Sequence, residues 1–367
     1  MIYALLAAAL AAPGQAAPAE GERDPCQARA TQTACYQAHE QSYLDIFGLP
    51  PASRRLAAGD QVRRAMVFGR NLNPVVAVEF RRARGNEPTV AIYLPRETDS
   101  ALREPAISAP VPLAAWERVV EASDHFDREL VPLPPRPEPT SDDEIVIYCS
   151  DAWVHIVEAT DSPDTRLGYL DESPRSRIRQ RVEDTCSGGL ANAYADLLVE
   201  TARQLIPACR ALEPRSRGAD VLAICGILDG DRMAAAEAFN RLRGLRDARD
   251  PARLRSMFSD RIALDWQGTP AARREDATRL WLAGTRADGG AHLFFRRLVG
   301  DNANRVRVTA VLEKWTNCQQ SCRLWSAPVE LVAESRLDVF EISQARVGAF
   351  VQVPARCEPG RLDARGC

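Results

Sequence analysis

The sequence has almost no lysine. Of the 47 basic residues in the 367-residue chain, 46 are arginine and one is Lys314. One lysine at this position excludes a Walker phosphate-binding loop and a hydrolase of the Ser-x-x-Lys type. The motifs Gly-x-Ser-x-Gly, His-Glu-x-x-His and Gly-x-Gly-x-x-Gly are absent as well. The sequence therefore carries none of the common local signatures of serine hydrolases, zinc proteases or dinucleotide-binding enzymes.

The chain has little net charge. Its formal charge is -3 at pH 7, and 46% of its residues are hydrophobic. A balance so close to neutral argues against a nucleic-acid partner or an anionic membrane surface. The hydrophobic content is sufficient for folded cores, and the length suggests two domains or one large one.

The N-terminus has the pattern of an export signal. Residues Met1 to Ala12 form an uncharged apolar run, and small residues continue to Ala19. The run is shorter than the roughly 20 residues that span a bilayer, so we expect a cleaved signal peptide over 1–19 and no membrane span after cleavage. The sequence thus predicts a periplasmic or secreted protein.

Ten cysteines agree with an oxidising compartment. A bridge between Cys209 and Cys225 would close a pair of antiparallel helices and contribute about 3 kcal/mol in the loop-entropy model. A second bridge is predicted between Cys149 and Cys186. The segment that starts at Cys186 and runs to Gly189 resembles a small reactive loop, but a helix cap beside a disulfide cysteine explains it better.

A third bridge is predicted at the tip of a long hairpin. Cys318 and Cys322 would face each other across a three-residue turn, and the same register sets Trp315 opposite Trp325. An aromatic pair there would add roughly 0.5 to 1.5 kcal/mol. The two tryptophans stabilise the hairpin in one interpretation and form a contact surface in the other.

The remaining cysteines have no assigned partners. The pairing of Cys26, Cys35, Cys357 and Cys367 stays open. A four-sulfur zinc site built from Cys318, Cys322 and the last two cysteines has the wrong spacing, because the last two are too far apart in sequence. We expect neither a metal nor a cofactor.

The order of predicted elements indicates the α+β class. Following the signal peptide, we expect a short helical segment over 24–48, an α+β domain with antiparallel strands and a helical end over 60–229, a domain of helices followed by a curved antiparallel sheet over 231–354, and a cysteine-containing tail over 355–367. Within the first domain, 144–149 and 152–158 are predicted to form a hairpin. Helices are predicted over 175–186 and 189–212, and the hairpin strands beyond residue 300 over 305–315 and 325–340.

The C-terminal third carries a family resemblance. Its helices, the strand that ends at Trp266, the helix that contains Trp281 and the long hairpin after it resemble the nuclear-transport-factor-two-like superfamily, also called SnoaL-like. The resemblance covers residues 231 to about 354. It implies a cone-shaped sheet wrapped around helices, with a pocket that serves isomerases, dehydratases, cyclases and proteins without known chemistry.

Candidates for catalysis are few. Enzymes of the ketosteroid-isomerase type need a buried acid and a tyrosine or second acid as the oxyanion donor. The chain has no tyrosine after Tyr194. Asp265 and His292 are the candidate acid-base pair. The other three histidines are His39, His125 and His155, and none of them has a Ser or Cys near in sequence that would argue for a catalytic triad. A histidine on an apolar face, such as His155, is usually a satisfied core group.

Two functional hypotheses follow. The first is a non-catalytic exported protein that binds a ligand or associates with the cell envelope, stabilised by disulfides. The alternative is a pocket enzyme of the SnoaL type acting on a hydrophobic small molecule. The partner under these hypotheses is a small hydrophobic ligand or another protein, and the sequence does not separate the two.

Overall fold

The computed structural model shows an α+β protein. From Ile46 onward the chain packs as one compact unit. The described residues are 43–69, 73–95, 104–126, 153–161, 177–185, 189–213, 217–247, 250–287, 290–316 and 323–353. The predicted signal peptide and the predicted C-terminal tail lie outside these ranges. Eight of the cysteines discussed above lie outside them as well: Cys26, Cys35, Cys149, Cys186, Cys318, Cys322, Cys357 and Cys367.

The first half of this unit is built on a six-stranded sheet with the strand order β4-β3-β2-β1-β5-β6. Neighbouring strands all pair antiparallel. The helices and strands are α1 (Ala52–Ala57), β1 (Gln61–Phe68), β2 (Pro74–Arg82), β3 (Thr89–Tyr93), β4 (Ile107–Pro110), α2 (Leu113–Ser123), β5 (Val154–Asp161), β6 (Arg177–Asp184), α3 (Leu190–Leu205), α4 (Pro207–Ala211) and α5 (Gly218–Gly226).

The central strand β1 is buried on both faces. Its residues alternate between the two faces, so the adjacent Arg63 and Arg64 point in opposite directions. Ala65 and Val67 share a face with Arg63 and belong to the hydrophobic core that includes the residues of α3. The face of Arg64 carries a buried ion cluster instead, in which Glu79 and Glu158 both accept hydrogen bonds from its guanidinium.

The helical end of this half is joined by a disulfide. Cys209 of α4 and Cys225 of α5 are bonded, with their Cα atoms 5.1 Å apart and both side chains fully buried. The bridge predicted between these two cysteines is thus present. It ties together two short helices whose own hydrogen bonds are few.

The second half is built on an eight-stranded sheet. Its main path is β7-β10-β11-β12-β13-β8-β9, and β14 pairs with β12. The elements are β7 (Leu228–Gly230), α6 (Arg232–Leu242), a 3₁₀ helix (Arg243–Asp247), α7 (Pro251–Arg255), β8 (Phe258–Trp266), β9 (Thr269–Ala271), α8 (Arg274–Gly284), β10 (Ala291–Asn302), β11 (Arg305–Thr316), β12 (Arg323–Arg336), β13 (Val339–Val347) and β14 (Val351–Val353).

The four long strands β10 to β13 form the expected antiparallel meander. The sheet is not purely antiparallel, however, because β7 pairs parallel with β10 and β8 pairs parallel with β13. Register shifts interrupt β10, β12 and β13, and such bulges bend a sheet.

Aromatic side chains fill the space between this sheet and its helices. Trp281 of α8 is 1% exposed and meets the rings of Trp266 and Phe258 edge to face. Phe239 of α6 contacts Phe295 of β10 in the same way. The hydrophobic cluster continues without a break from these residues into the core of the first sheet.

Three predicted elements of the first half are wrong. Residues 177–184 form strand β6, not a helix. Ile178 and Val182 are four residues apart, a spacing that fits one face of a helix and also one face of a strand. The predicted helix over 189–212 is interrupted at Ile206, which is extended because Pro207 follows it.

The predicted pairing of 144–149 with 152–158 also conflicts with the structure. Both edges of β5 are occupied, by β1 on one side and by β6 on the other. His155 therefore faces Val67 and Glu183, and no edge is left for the earlier segment along 154–161.

The predicted register of the long hairpin is off by one residue. Trp315 lies opposite Leu324, and Trp325 lies opposite Lys314. Since side chains alternate, the one-residue shift places Trp315 and Trp325 on opposite faces of the sheet, so they form no aromatic pair. The predicted strand over 325–340 is also divided, because Leu337 and Asp338 form a tight turn with left-handed backbone angles.

Candidate functional site

A cavity of about 520 Å³ opens beside the first sheet, at the end of β5. Residues of β5, α3 and α5 and of the segments next to β5, β6 and α5 form its wall, which mixes polar and apolar groups. They are Trp153, His155, Thr185, Asp196, Val199, Glu200, Arg217, Gly218 and Ala219. The volume lies in the range of typical small-molecule sites.

His155 is the most buried polar group of this wall. Strand alternation directs its side chain towards α3, and only 4% of the residue is exposed. Its Nδ1 lies 2.8 Å from Oδ1 of Asn192. Because an amide oxygen only accepts, Nδ1 carries the proton and Nε2 keeps its lone pair. Among the described residues, the ring has no other hydrogen-bond partner.

The electrostatic environment keeps this imidazole neutral. Burial lowers the pKa of His155 below its usual value, and the positive charge of Arg217 acts in the same direction. The bond to Asn192 and the charges of Asp196 and Glu183 oppose this effect but do not overcome it. At neutral pH the ring therefore presents an acceptor to the cavity.

The start of α3 is fixed by β6. Gly189, the residue before the helix, makes no side-chain cap, and the carboxylate of Glu183 takes that role. Its Oε2 accepts the backbone N–H groups of Ala191 at 3.0 Å and Asn192 at 3.2 Å. A carboxylate there is favoured by the helix dipole, and it holds Asn192 in the place from which it orients His155.

Helix α3 also presents two carboxylates. Asn192, Asp196 and Glu200 follow one another at intervals of four, so they line one stripe of the helix. Glu200 accepts hydrogen bonds from Arg203, which lower its pKa. Asp196 is exposed and has no hydrogen-bond or ion-pair partner among the described residues.

A cation faces these acids from the start of α5. The guanidinium of Arg217 lies over the indole ring of Trp153, 4.4 Å from its centroid. The backbone of Trp153 is anchored by Thr185. The backbone N–H of Trp153 donates to Oγ1 of Thr185, and the backbone carbonyl of Trp153 accepts the backbone N–H of Thr185. The guanidinium N–H groups of Arg217 make no hydrogen bond or ion pair among the described residues.

The site thus combines acceptors, a fixed cation and a flat aromatic surface. The described residues contain no cluster of three or more potential metal ligands. Thr185 is the one hydroxyl among the described residues of the wall, and its oxygen accepts the N–H of Trp153. The arrangement is suited to recognising a polar ligand through hydrogen bonds and charge.

The residues predicted from the sequence lie elsewhere. Oδ1 of Asp265 accepts the N–H of Gly268 at 2.7 Å, so this carboxylate stabilises the turn between β8 and β9. His292 lies on β10 next to Leu293, which is 1% exposed and faces the core, so alternation directs the imidazole to the other face. Three strands separate β10 from β8, and the structure does not bring these two side chains together inside the sheet.

One part of the cavity has a local signal in the sequence that the sequence analysis did not use. The polar stripe from Asn192 to Glu200 is visible as a spacing of four within a helix. Arg217 and Trp153 belong to segments that are far apart in sequence, and they meet only because α3 packs on β5 and α5 packs on α3.

Comparisons with known proteins concern part of the chain. No protein-family model matches the sequence, and no curated protein matches it. Among solved structures, similarity is found to NTF2-like proteins over about 30% of the chain. An NTF-2-like protein of unknown function from Shewanella oneidensis MR-1 is 10% identical, with 31% of this chain and 97% of that chain covered and a TM-score of 0.27.

Two further structures show the same extent of similarity. A hexachlorocyclohexane dehydrochlorinase is 18% identical, with 35% of this chain and 94% of that chain covered and a TM-score of 0.28. A protein named Rd1NTF2_04 with long sheet is 15% identical, with 31% and 99% covered and a TM-score of 0.27. At these scores no property of those proteins is transferred to this chain.

The described residues were also compared with the requirements of a membrane span. None of their helices combines the length and apolar character that a transmembrane helix needs.

Proposed function

We propose that this is an exported protein that binds a small molecule in the cavity formed by β5, α3 and α5. The observation that carries the proposal is His155, which is 4% exposed and kept neutral by burial, and whose Nε2 has no partner among the described residues at the wall of a cavity of about 520 Å³. The lone pair of Nε2 can accept a hydrogen bond from a donor group of a bound molecule.

Binding is favoured over catalysis by the groups around this imidazole. A general base needs a nucleophile or a substrate proton within reach, and the one hydroxyl among the described residues of the wall, that of Thr185, makes no hydrogen bond to His155. The remaining polar groups, Asp196, Glu200 and Arg217, are suited to fixing the orientation of a bound molecule.

Export is supported by the cysteine chemistry. The bond between Cys209 and Cys225 is a buried structural disulfide, a type that persists in oxidising compartments. The apolar run at the N-terminus agrees with this placement.

We propose in addition that residues 231–354 form an NTF2-like domain with a structural role. Its order of elements, from α6 through β8 and α8 to the four long strands, supports this assignment. Trp266, Trp281 and Phe239 occupy the space between its sheet and helices, and this favours a packed scaffold over a binding pocket.

Native mass spectrometry tests the proposed binding site. The protein is purified from the envelope of its own host, as wild type and as two variants of α5, A219F and A223F. Ala219 lines the cavity, so phenylalanine should fill it, whereas Ala223 lies one turn further along the same helix and outside the wall. Circular dichroism confirms that both variants are folded.

We expect a co-purified small molecule on the wild type and on A223F, and its loss from A219F. If A219F still carries the bound small molecule, the ligand binds elsewhere and the proposed site is wrong. If the wild type carries no bound small molecule and acquires none from a metabolite extract, the proposed binding function is wrong.

A further inference from the structure

We infer that the ligand of this cavity is a small zwitterion, a molecule with an ammonium group and a carboxylate such as an amino acid or a dipeptide. The inference rests on the proposed binding function and adds the chemical class. It follows from the way charges of both signs are distributed over one cavity wall.

The acidic part of the wall is suited to an ammonium group. Asp196 and Glu200 lie one turn apart on α3, and Nε2 of His155 adds an uncharged acceptor. An ammonium group has three N–H donors and no acceptor, so it can use carboxylate and imidazole acceptors at the same time. Glu200 is partly neutralised by Arg203, which leaves Asp196 as the main anionic partner.

The basic part of the wall is suited to a carboxylate. Arg217 lies over the indole ring of Trp153, with its guanidinium carbon 4.4 Å from the ring centroid, and its N–H groups have no partner among the described residues. A guanidinium whose edge is free binds a carboxylate through two parallel hydrogen bonds. Gly218 and Ala219 follow it at the start of α5, where the helix dipole also favours an anion.

Charges of both signs lie on the wall that His155 shares. Asp196 and Arg217 line the same cavity as this imidazole. A ligand with one charge would meet a repulsive partner on the wall in either orientation. A zwitterion satisfies the carboxylate, the guanidinium and the Nε2 acceptor together.

Calorimetry with blocked amino acids tests the class. The best binder among the common amino acids is first found by thermal shift with the full chain. Its affinity is then compared with that of its methyl ester, which lacks the negative charge, and of its N-acetyl form, which lacks the positive charge. We expect the free amino acid to bind at least about tenfold more tightly than either blocked form.

Two charge variants assign the contacts. In R217Q the amino acid should lose affinity until it matches its methyl ester, because the carboxylate no longer has its partner. In D196N it should approach its N-acetyl form instead. Matched controls on α2 are R118Q and E117Q, whose side chains are exposed and outside the wall, and they should leave all affinities unchanged.

These outcomes test the chemical class of the ligand separately from the binding function of the cavity. A blocked form that binds as tightly as the free amino acid would show that the ligand need not be a zwitterion. If A219F loses that binding, the cavity remains the binding site. The absence of binding for every amino acid and dipeptide would also overturn the class. The co-purified mass on wild type and A219F then decides the binding function separately.

Discussion

Arg64 donates a hydrogen bond from Nη1 to Oε2 of Glu158 over 2.7 Å, across the neighbouring strands β1 and β5. Both side chains are no more than 1% exposed, and Glu79 accepts from the other side of the guanidinium. Burial alone would lower the pKa of Arg64, but the two carboxylates raise it well above its usual value. The guanidinium of Arg64 therefore stays charged inside the protein.

The first prediction concerns this buried cluster. R64M should lower the free energy of unfolding by about 3 to 5 kcal/mol, because it leaves buried carboxylates without their counter-charge. The double variant R64M/E158L should recover part of that loss, since it removes one of the stranded charges. Denaturant unfolding measures both, with the exposed R118M as the control. A double variant no more stable than the single one would contradict the role given to Glu158.

The second prediction concerns the disulfide. C209A/C225A should lower the free energy of unfolding by about 3 kcal/mol, because the bridge closes a loop of 16 residues in the unfolded chain. The measurement is denaturant unfolding of both proteins without reductant. Equal midpoints would show that the bridge does not stabilise the fold. Repeating the comparison with reductant should narrow the difference, since it opens the same bond in the wild type.

Local pattern predicted most of the elements but not their partners. The α+β class, the meander of β10 to β13 and the bridge of Cys209 to Cys225 follow from alternation and helical spacing. The face of a strand depends on register, and a shift of one residue at Trp315 was enough to put it opposite Leu324.

The predicted element type was wrong where a helix pattern and a strand pattern overlap. Ile178 and Val182 fit a helix and a strand equally, and β6 became a strand because its inward polar residues find partners in the fold. Arg179 pairs with Asp161, and Glu183 caps α3. These contacts form only when β6 pairs with β5 and α3 packs beside it, so the pattern of residues within β6 does not show them.

The candidate site was missed for the same reason. His155 looked like a satisfied core histidine, and one ring nitrogen indeed has a protein partner. What makes it a candidate is the cavity at its other nitrogen, which exists only because α3 and α5 pack beside β5.

The third prediction concerns the cap that positions Asn192. A β-carbon on Gly189 would lie 2.1 Å from Oε2 of Glu183, so G189A must displace the capping carboxylate. We expect a loss of about 0.5 to 2 kcal/mol in the free energy of unfolding. The matched test is a double-mutant cycle with E183A. In the E183A background, G189A should lower the free energy of unfolding clearly less than it does in the wild type. An equal cost in both backgrounds would mean that the two residues are not coupled.

The fourth prediction concerns the aromatic packing of the second sheet. Gly284 ends α8, and a β-carbon there would lie 1.8 Å from Cζ2 of Trp266. Alanine usually stabilises a helix relative to glycine by about 1 kcal/mol, but overpacking costs about 1 to 3 kcal/mol. G284A should therefore lower the melting temperature in thermal unfolding. In a W266L background the same change should cost less, and a stabilising G284A would contradict the close packing of Trp266.

The fifth prediction concerns the pH dependence of stability. Because burial lowers the pKa of His155 in the folded state, the unfolded chain binds more protons at pH values between that lowered pKa and about 6.5. The free energy of unfolding should fall as the pH drops through this window, by up to about 1.4 kcal/mol per pH unit from this group.

In H155Q this contribution is absent, so the stability difference between the wild type and H155Q should change with that slope below about pH 6.5. Denaturant unfolding at pH 7.5, 6.5 and 5.5 measures it, and H125Q, at an exposed histidine, is the control. Parallel curves for the wild type and H155Q would show that His155 titrates normally, and its ring would then be charged in the cavity at mildly acidic pH.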